Sequence, residues 1–439
     1  MQPGTEPAVL RERAVAHLRD GSPALAERVF RELLEHDPVD VQALRFLAAR
    51  HLERDERVVA IGLLERAEKA YPGHAPTLHQ MGVIYDLEGR GAEALDALER
   101  CVAIDAGQFV ARLRLGFVLE RQGERRRALT QYFKAINEAQ AQGRWLSDET
   151  TAPGLRQPVQ QAMRFVDAGR RELFHGLLEP LRARHGAIAL RRVEGALAIY
   201  LGERPANYPD PRQRPRFLYF PDVPSTPFYP RSRFPWYEAL ESAFAEIRGE
   251  LAWAMRQTDK IQPFLTADTP EQMDSMLRSS REQPPSWDGY FFFRHGERYP
   301  AQCDGCPKTA ALLDALPLVR IPGHAPEALF SVLTPGSHIL PHQGVTNTRL
   351  VTHLPLIVPE DCALRVGGEL HAWQEGRCVT FDDTFAHEAW NRSAHTRVVL
   401  ILDCWNPDLT EVEREAVSEL VVGIGAFNDA AGVAMPKDG

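Results

Sequence analysis

The sequence predicts a multidomain chain in which an all-α repeat array is followed by an antiparallel β domain of sandwich or jelly-roll type. Three observations carry this. The first third resembles itself at a spacing of 34 residues, the composition turns to proline and aromatics between Asn207 and Trp236, and short β-rich runs follow as far as Trp405. The length of 439 residues, with 44% hydrophobic and 25% charged side chains, suits two or three folded units and excludes collagen-like, coiled-coil and wholly disordered chains.

The repeat is read from small and large residues recurring together. A shift of 34 maps Ala14 onto Ala48, Gly82 and Gly116; Ala26 onto Ala60, Ala94 and Ala128; Phe30 onto Leu64, Leu98 and Tyr132; and Pro38 onto Pro72. Small residues at two fixed places let two helices approach closely, and the large one is expected to fill the gap between neighbouring repeats. The segment 7–140 therefore resembles four tetratricopeptide repeats. Such hairpins bury their apolar faces only by stacking, and the stack exposes a groove suited to a peptide or protein partner. Over 141–208 apolar residues at three- and four-residue steps predict a helical connector.

The run from Asn207 to Trp236 cannot be regular helix, and a second domain is placed over 209–425. A helix is expected from Trp236, followed by five strands: ALFSVL, RLVTHLPLIV, CALRVGGELHAW, RCVTFDD and RVVLILDCW. Within the third, Gly367-Gly368 reads as a two-residue hairpin turn. Alternation along the second puts Arg349, Val351 and His353 on one face and Leu350, Leu354 and Leu356 on the other. An inward face carrying Arg and His needs an anion or a metal, because unpaired buried charge is expensive.

A net charge of −9 disfavours nucleic acid and anionic membrane surfaces as partners. The longest uncharged stretch, Ala328 to Thr348, contains two prolines and two glycines and does not read as a membrane span. With no signal-peptide pattern in MQPGTEPAVLRER and only six cysteines, a cytoplasmic protein with reduced thiols is expected. Cys303 and Cys306 lack two further zinc ligands at suitable spacing.

The strings PHQGVTNTRLVTHLPLIVP and GGELHAWQEGRCVTFDDTFAHEAWNRSAHTRVVLILDCWNP closely resemble the aspartyl/asparaginyl β-hydroxylases, Fe(II)- and 2-oxoglutarate-dependent oxygenases. The resemblance runs from about Phe217 to Thr410. It implies a double-stranded β-helix of the jelly-roll, cupin-like kind over the β domain, using O2 and 2-oxoglutarate at iron held by His342 and His387. Many related oxygenases add a carboxylate two residues after the first histidine; that place is Gly344, in keeping with the two-histidine arrangement of this family. The resemblance further implies that Arg397, Ser331 and His353 contact 2-oxoglutarate and that Arg349 faces the acidic side of the substrate. Asp383 would take a catalytic supporting part, orienting a ligand histidine or a water beside the metal. A second family arginine is replaced by Val351. The expected reaction is hydroxylation at the β-carbon of an Asp or Asn in a peptide or protein held partly by the repeats. The alternatives are the same chemistry on a free amino acid, natural product or lipid, and a catalytically weak tetratricopeptide adaptor.

Overall fold

The computed structural model describes residues 6–265 and 269–434. Two compact units divide the chain at Gly169/Arg170, with Ala430–Val433 counted in the first. The division falls inside one long helix, within the stretch the sequence suggests as a connector.

The first unit contains eight helices: α1 (Glu6–Arg19), α2 (Pro23–His36), α3 (Val41–Glu53), α4 (Arg57–Ala70), α5 (Ala75–Leu87), α6 (Gly91–Ile104), α7 (Phe109–Arg121) and α8 (Arg125–Ala141). They pair in sequence as four hairpins, each packed on the next. Ala14 and Ala48 are fully buried, and a Cβ added to Gly82 would lie 2.5 Å from Leu98 Cγ. At Gly116 the same atom would meet Tyr132 Cδ1 at 2.4 Å. The large residue of the repeat thus seats on the small residue of its own hairpin, which corrects the expectation that it chiefly fills the space between hairpins. Tyr132 does both, since its ring also meets Phe165 edge-on at 5.3 Å.

A second periodic device closes the first helix of every hairpin. Gly21, Asp55, Gly89 and Gly123 all have left-handed backbones, with φ of 68, 61, 70 and 80°. One residue later the amides of Ser22, Glu56, Arg90 and Glu124 donate to the carbonyls of His17, His51, Tyr85 and Leu119. This six-to-one bond satisfies a carbonyl that the helix end leaves open.

The second unit begins in α9 (Arg156–His185) and continues through α10 (Ala187–Tyr200), α11 (Tyr237–Ser242), α12 (Phe244–Ala254), α13 (Pro270–Met276), α14 (Pro300–Gly305), α15 (Pro307–Ala315) and α16 (Glu411–Ala431). The helix expected from Trp236 is therefore two helices, broken at Ala243. Among the described residues are twelve strands, more than the five expected: β1 (Gln262–Pro263), β2 (Leu277–Ser279), β3 (Trp287–Arg294), β4 (Glu297–Arg298), β5 (Ala328–Leu333), β6 (Ser337–His342), β7 (Arg349–Ile357), β8 (Cys362–Val366), β9 (Glu369–His371), β10 (Val379–Phe381), β11 (His387–Asn391) and β12 (Arg397–Trp405).

All pairings between these strands are antiparallel. The larger sheet runs β1-β3-β5-β12-β7-β10 with β4 added on β3, and the smaller runs β2-β6-β11-β8-β9. The glycine pair turns β8 into β9 with φ of 56 and 85°, as its sequence requires. One face of the larger sheet, including Leu350, Leu354, Leu356, Val398, Leu400 and Leu402, packs with Leu240, Leu251, Cys303 and Leu313 from the helices. Its other face joins the smaller sheet in a second core of Leu329, Leu333, Val399, Ile339, Leu364 and Val366. The period-2 pattern of β7 and β12 sorts apolar side chains toward the helices and turns Arg349, His353, Arg397 and Asp403 toward the space between the sheets.

The proline- and aromatic-rich run lies along the β unit rather than forming helix. Arg214 donates its amide to Thr384 O, Arg216 to Gly344 O and Phe217 to Val345 O, while Asn347 holds both backbone polar groups of Phe220. No described helix is long and apolar enough to cross a membrane. All six cysteines are buried and free.

Candidate functional site

One cavity of about 70 Å3 between the sheets is lined by every residue singled out from the sequence: Ser331, His342, Arg349, His353, Asp383, His387 and Arg397. The two histidines come from adjacent strands of the smaller sheet. His342 ends β6, His387 begins β11, and they are direct cross-strand partners with ring centroids 4.1 Å apart. Each ring is tied in the same way. His342 Nδ1 lies 2.8 Å from Leu340 O and His387 Nδ1 lies 3.1 Å from Phe385 O. A carbonyl can only accept, so Nδ1 carries the proton in both and Nε2 keeps its lone pair. Burial holds both rings neutral, lowering His342 to about 3, with help from the neighbouring His387, and His387 to about 4. Two neutral, pre-oriented imidazoles make a donor pair suited to Fe(II) or another divalent first-row metal.

Asp383 stands where a third donor would come from. A Cβ on Gly344 would fall 2.2 Å from the Asp383 carboxylate, so the acidic group from one loop fills the room that a side chain at 344 would need. Gly344 also donates its amide to Asp383 O at 2.7 Å. Burial raises the Asp383 carboxyl, Arg349 and His342 oppose that rise, and its Oδ1 has no hydrogen-bond partner among the described residues. Among those residues no group of three His, Cys, Asp or Glu forms a metal cluster. The histidine pair stands as two donors, with Asp383 beside it.

The other end of the cavity is basic. Arg397 is 1% exposed and, among the described residues, has no carboxylate partner; its Nη1 reaches a hydroxyl, Ser331 Oγ, at 3.4 Å. Its Nε is buried without a partner among the described residues, and burial depresses the guanidinium to about 10. Trp287 Nε1 donates to Ser331 Oγ at 2.9 Å, and Trp373 lies under the guanidinium, 4.8 Å from Cζ to the ring centroid. His353, held neutral by burial and by the Arg397 charge, has an Nδ1 that likewise meets no partner among the described residues. A buried cation with two adjacent unsatisfied polar atoms fits an anion such as a carboxylate.

Arg349 is differently placed. It pairs with Asp403 at 2.7 Å and with Asp383 at 3.4 Å. Burial disfavours its charge, but the two carboxylates outweigh that and raise it, while burial lifts Asp403 to about 6. Val351, in place of a family arginine, sits opposite Phe381 on one neighbouring strand and Asp403 on the other. No cation takes its position on β7. Sequence reasoning missed Asp403, Trp287 and Trp373, and it missed Arg216. This exposed residue is bonded through its backbone to Gly344, and its positive charge bears on His342. Its only signal was the crowded aromatic-basic run in which it stands.

The profile of the family described as Aspartyl/Asparaginyl beta-hydroxylase matches residues 241–407. Aspartate beta-hydroxylase domain-containing protein 2 of Xenopus tropicalis is 31% identical over 261 residues, 58% of this chain and 66% of that one. The mouse protein of the same name is 32% identical over 253 residues, 56% of this chain and 69% of that one. Ornithine lipid ester-linked acyl 2-hydroxylase of Rhizobium tropici is 33% identical over 193 residues, 43% of this chain and 64% of that one. The matches span about two thirds of each relative's length, and the profile match contains every residue that lines the cavity. On this evidence the chain belongs to the aspartyl/asparaginyl β-hydroxylase family.

Proposed function

We propose that the second unit is an Fe(II)- and 2-oxoglutarate-dependent hydroxylase of Asp or Asn side chains in a peptide or protein, and that its two facing sheets are the double-stranded β-helix such oxygenases use. The observation that carries the proposal is the pairing, in one cavity, of two neutral histidines whose Nδ1 atoms face backbone carbonyls and a buried arginine that has no carboxylate partner among the described residues. His342 and His387 would hold the metal. With 2-oxoglutarate and O2, iron there would supply the oxidising power to replace an unactivated C–H by C–OH, with succinate and carbon dioxide as co-products.

The chain's own residues do the positioning. Arg397 offers a planar fork to the far carboxylate of 2-oxoglutarate, with Ser331 fixed by Trp287 and His353 beside it. Asp383 can accept a hydrogen bond through its unpaired Oδ1 next to the metal ligands. Val351, Phe381 and Ile401 line the remaining wall and exclude water. For an acidic substrate, Arg349 is available only by giving up Asp383 or Asp403, whereas Arg216 is exposed near His342. The repeats would hold a longer part of the same polypeptide.

Similarity to an acyl 2-hydroxylase favours one second reading, hydroxylation of a lipid acyl chain. Incubating the Fe(II)-loaded protein with 2-oxoglutarate and either Asp/Asn-containing peptides or acyl lipids, followed by mass spectrometry, separates the two. A gain of one oxygen on peptide supports the proposal; a gain on lipid alone transfers the chemistry to the second reading.

A further inference from the structure

Away from Arg397, the polar wall of the cavity between the sheets carries more carboxyl groups than cations. Arg349 supplies positive charge there, but its Nη1 meets Asp403 at 2.7 Å and its Nη2 meets Asp383 Oδ2 at 3.4 Å. Glu327 lines the same space at 8% exposure, accepting the His295 amide at 2.6 Å and donating its own amide to Asp403 Oδ2 at 2.9 Å. All three carboxylates act on the Arg349 charge, so one guanidinium is shared among them. Burial lifts Asp403 to about 6; Arg349 opposes the rise, and the charges of Glu327 and Asp383 add to it. The rest of the wall adds no cation where β7 faces the cavity, since Val351 stands between Arg349 and His353 and is continued by Phe381 and Ile401.

Asp383 Oδ1 is the atom in this wall that calls for a ligand. The residue is 3% exposed and lines the cavity, and Oδ1 has no hydrogen-bond partner among the described residues. The carboxylate is held in place, because it packs on Gly344, where a Cβ would come within 2.2 Å of it, and its Oδ2 is turned to Arg349, which favours the ionised form. An ionised carboxylate only accepts, so whatever meets Oδ1 has to bring an N–H or O–H. A buried acceptor left without a donor is costly. The carboxamide of a substrate asparagine brings an N–H without charge. The carboxylate of an aspartate brings no donor and a fourth negative charge, beside three that already share one cation. Fe(II) and the dianion of 2-oxoglutarate carry opposite double charges, so their joint presence leaves this balance as it is. Arg216 is exposed and outside the cavity wall, where water screens it from a side chain within.

We propose that the cavity selects asparagine over aspartate as the side chain to be hydroxylated, with Asp383 Oδ1 accepting a hydrogen bond from the substrate's carboxamide. This rests on the hydroxylase reading above and narrows it.

The test uses the full-length protein and two pools of nonapeptides, one with Asn and one with Asp at the centre, every other position in both being drawn from one equal mixture of Gly, Ala, Ser, Leu, Lys and Glu. Each pool is incubated below saturation with Fe(II), 2-oxoglutarate and O2, then hydrolysed in acid, which converts either product to 3-hydroxyaspartate for measurement against one standard. The proposal expects at least about tenfold more product from the Asn pool. Equilibrium dialysis against the anaerobic protein with Fe(II) and 2-oxoglutarate, where nothing turns over, should also retain the Asn pool more strongly. In Asp383→Ala the carboxamide loses its acceptor and Arg349 loses one of its carboxylates, so the Asn-to-Asp product ratio should fall about tenfold, whatever happens to the two rates. Equal product or retention, an excess from the Asp pool, or a folded Asp383→Ala protein that is slower with the ratio unchanged would overturn the proposal; the last would put Oδ1 on something other than the substrate. If that variant fails to fold or acts on neither pool, the comparison on the unaltered protein decides. Succinate formed without any preference between pools defeats this selection alone, whereas no succinate from the unaltered protein defeats the hydroxylase reading and the selection with it.

Discussion

At the scale of single residues the cavity assigns different losses to different side chains. His342→Ala and His387→Ala each remove one of two donors, so succinate formation is expected to fall about a hundredfold or more while the fold survives, as circular dichroism would show. Asp383→Ala touches no donor atom directly and should cost about 10- to 100-fold. Arg397→Lys replaces a fork with a point charge and should raise the KM for 2-oxoglutarate strongly with a smaller change in kcat; an unchanged KM would move the carboxylate site elsewhere. Arg365, a cation on the neighbouring strand β8, is already paired with Glu388 on β11. Arg216→Gln should raise the KM for an acidic peptide and leave succinate formation without peptide unaltered, a split that a purely structural Arg216 would not give. Much of this site was legible because the alternation of RLVTHLPLIV puts Arg349 and His353 on one face whatever the surrounding fold. The pairing of Arg349 with Asp403 was not, since residues 54 positions apart become neighbours only when β7 and β12 lie side by side.

Among the elements, the repeat was the most readable because its period is written in small and large residues together. The left-handed turn shows what one position costs. Asp55 adopts a conformation that glycine provides in the other three hairpins, so Asp55→Gly should leave the first unit as stable or more stable by about 0.5–1 kcal/mol in urea denaturation. Gly82→Ala should instead cost about 1–3 kcal/mol, because its new methyl meets Leu98 in a filled core. Strands were read less well. β6 and β11 escaped because SHILPH contains proline and two histidines and HEAWN is short and polar, which are marks of loops in an isolated sequence. Both strands are built by pairing partners, and both deliver a histidine to the cavity. β3 escaped because it follows a proline-rich stretch, although WDGYFFFR supplies buried aromatics to both cores.

For the whole molecule, the second unit depends on helices that the sequence treats as a connector. Arg192 on α10 grips Glu413 on α16 through two nitrogens, at 2.7 and 2.5 Å, and also reaches Asp222 O and Asp408 O. Glu413 and Thr410 cap α16 reciprocally. Burial raises the Glu413 carboxyl, but Arg192 and the Thr410 amide overcome it and leave the pKa lowered. A depressed carboxylate stabilises the fold above its unfolded pKa, about 4.3, and that contribution disappears as pH falls through the folded value. Urea stability should therefore drop below about pH 4, and Arg192→Ala, costing about 2 kcal/mol at neutral pH, should flatten that drop. The central claim, that His342, His387 and Arg397 form one site for metal and co-substrate, is tested most directly by calorimetric titration of 2-oxoglutarate into the anaerobic protein with and without Fe(II), followed by succinate measurement on admitting O2. The account predicts tight binding only with Fe(II), succinate formation after O2, and loss of both in His342→Ala. Binding of 2-oxoglutarate that ignores Fe(II), or succinate formed equally by the His342→Ala protein, would contradict it.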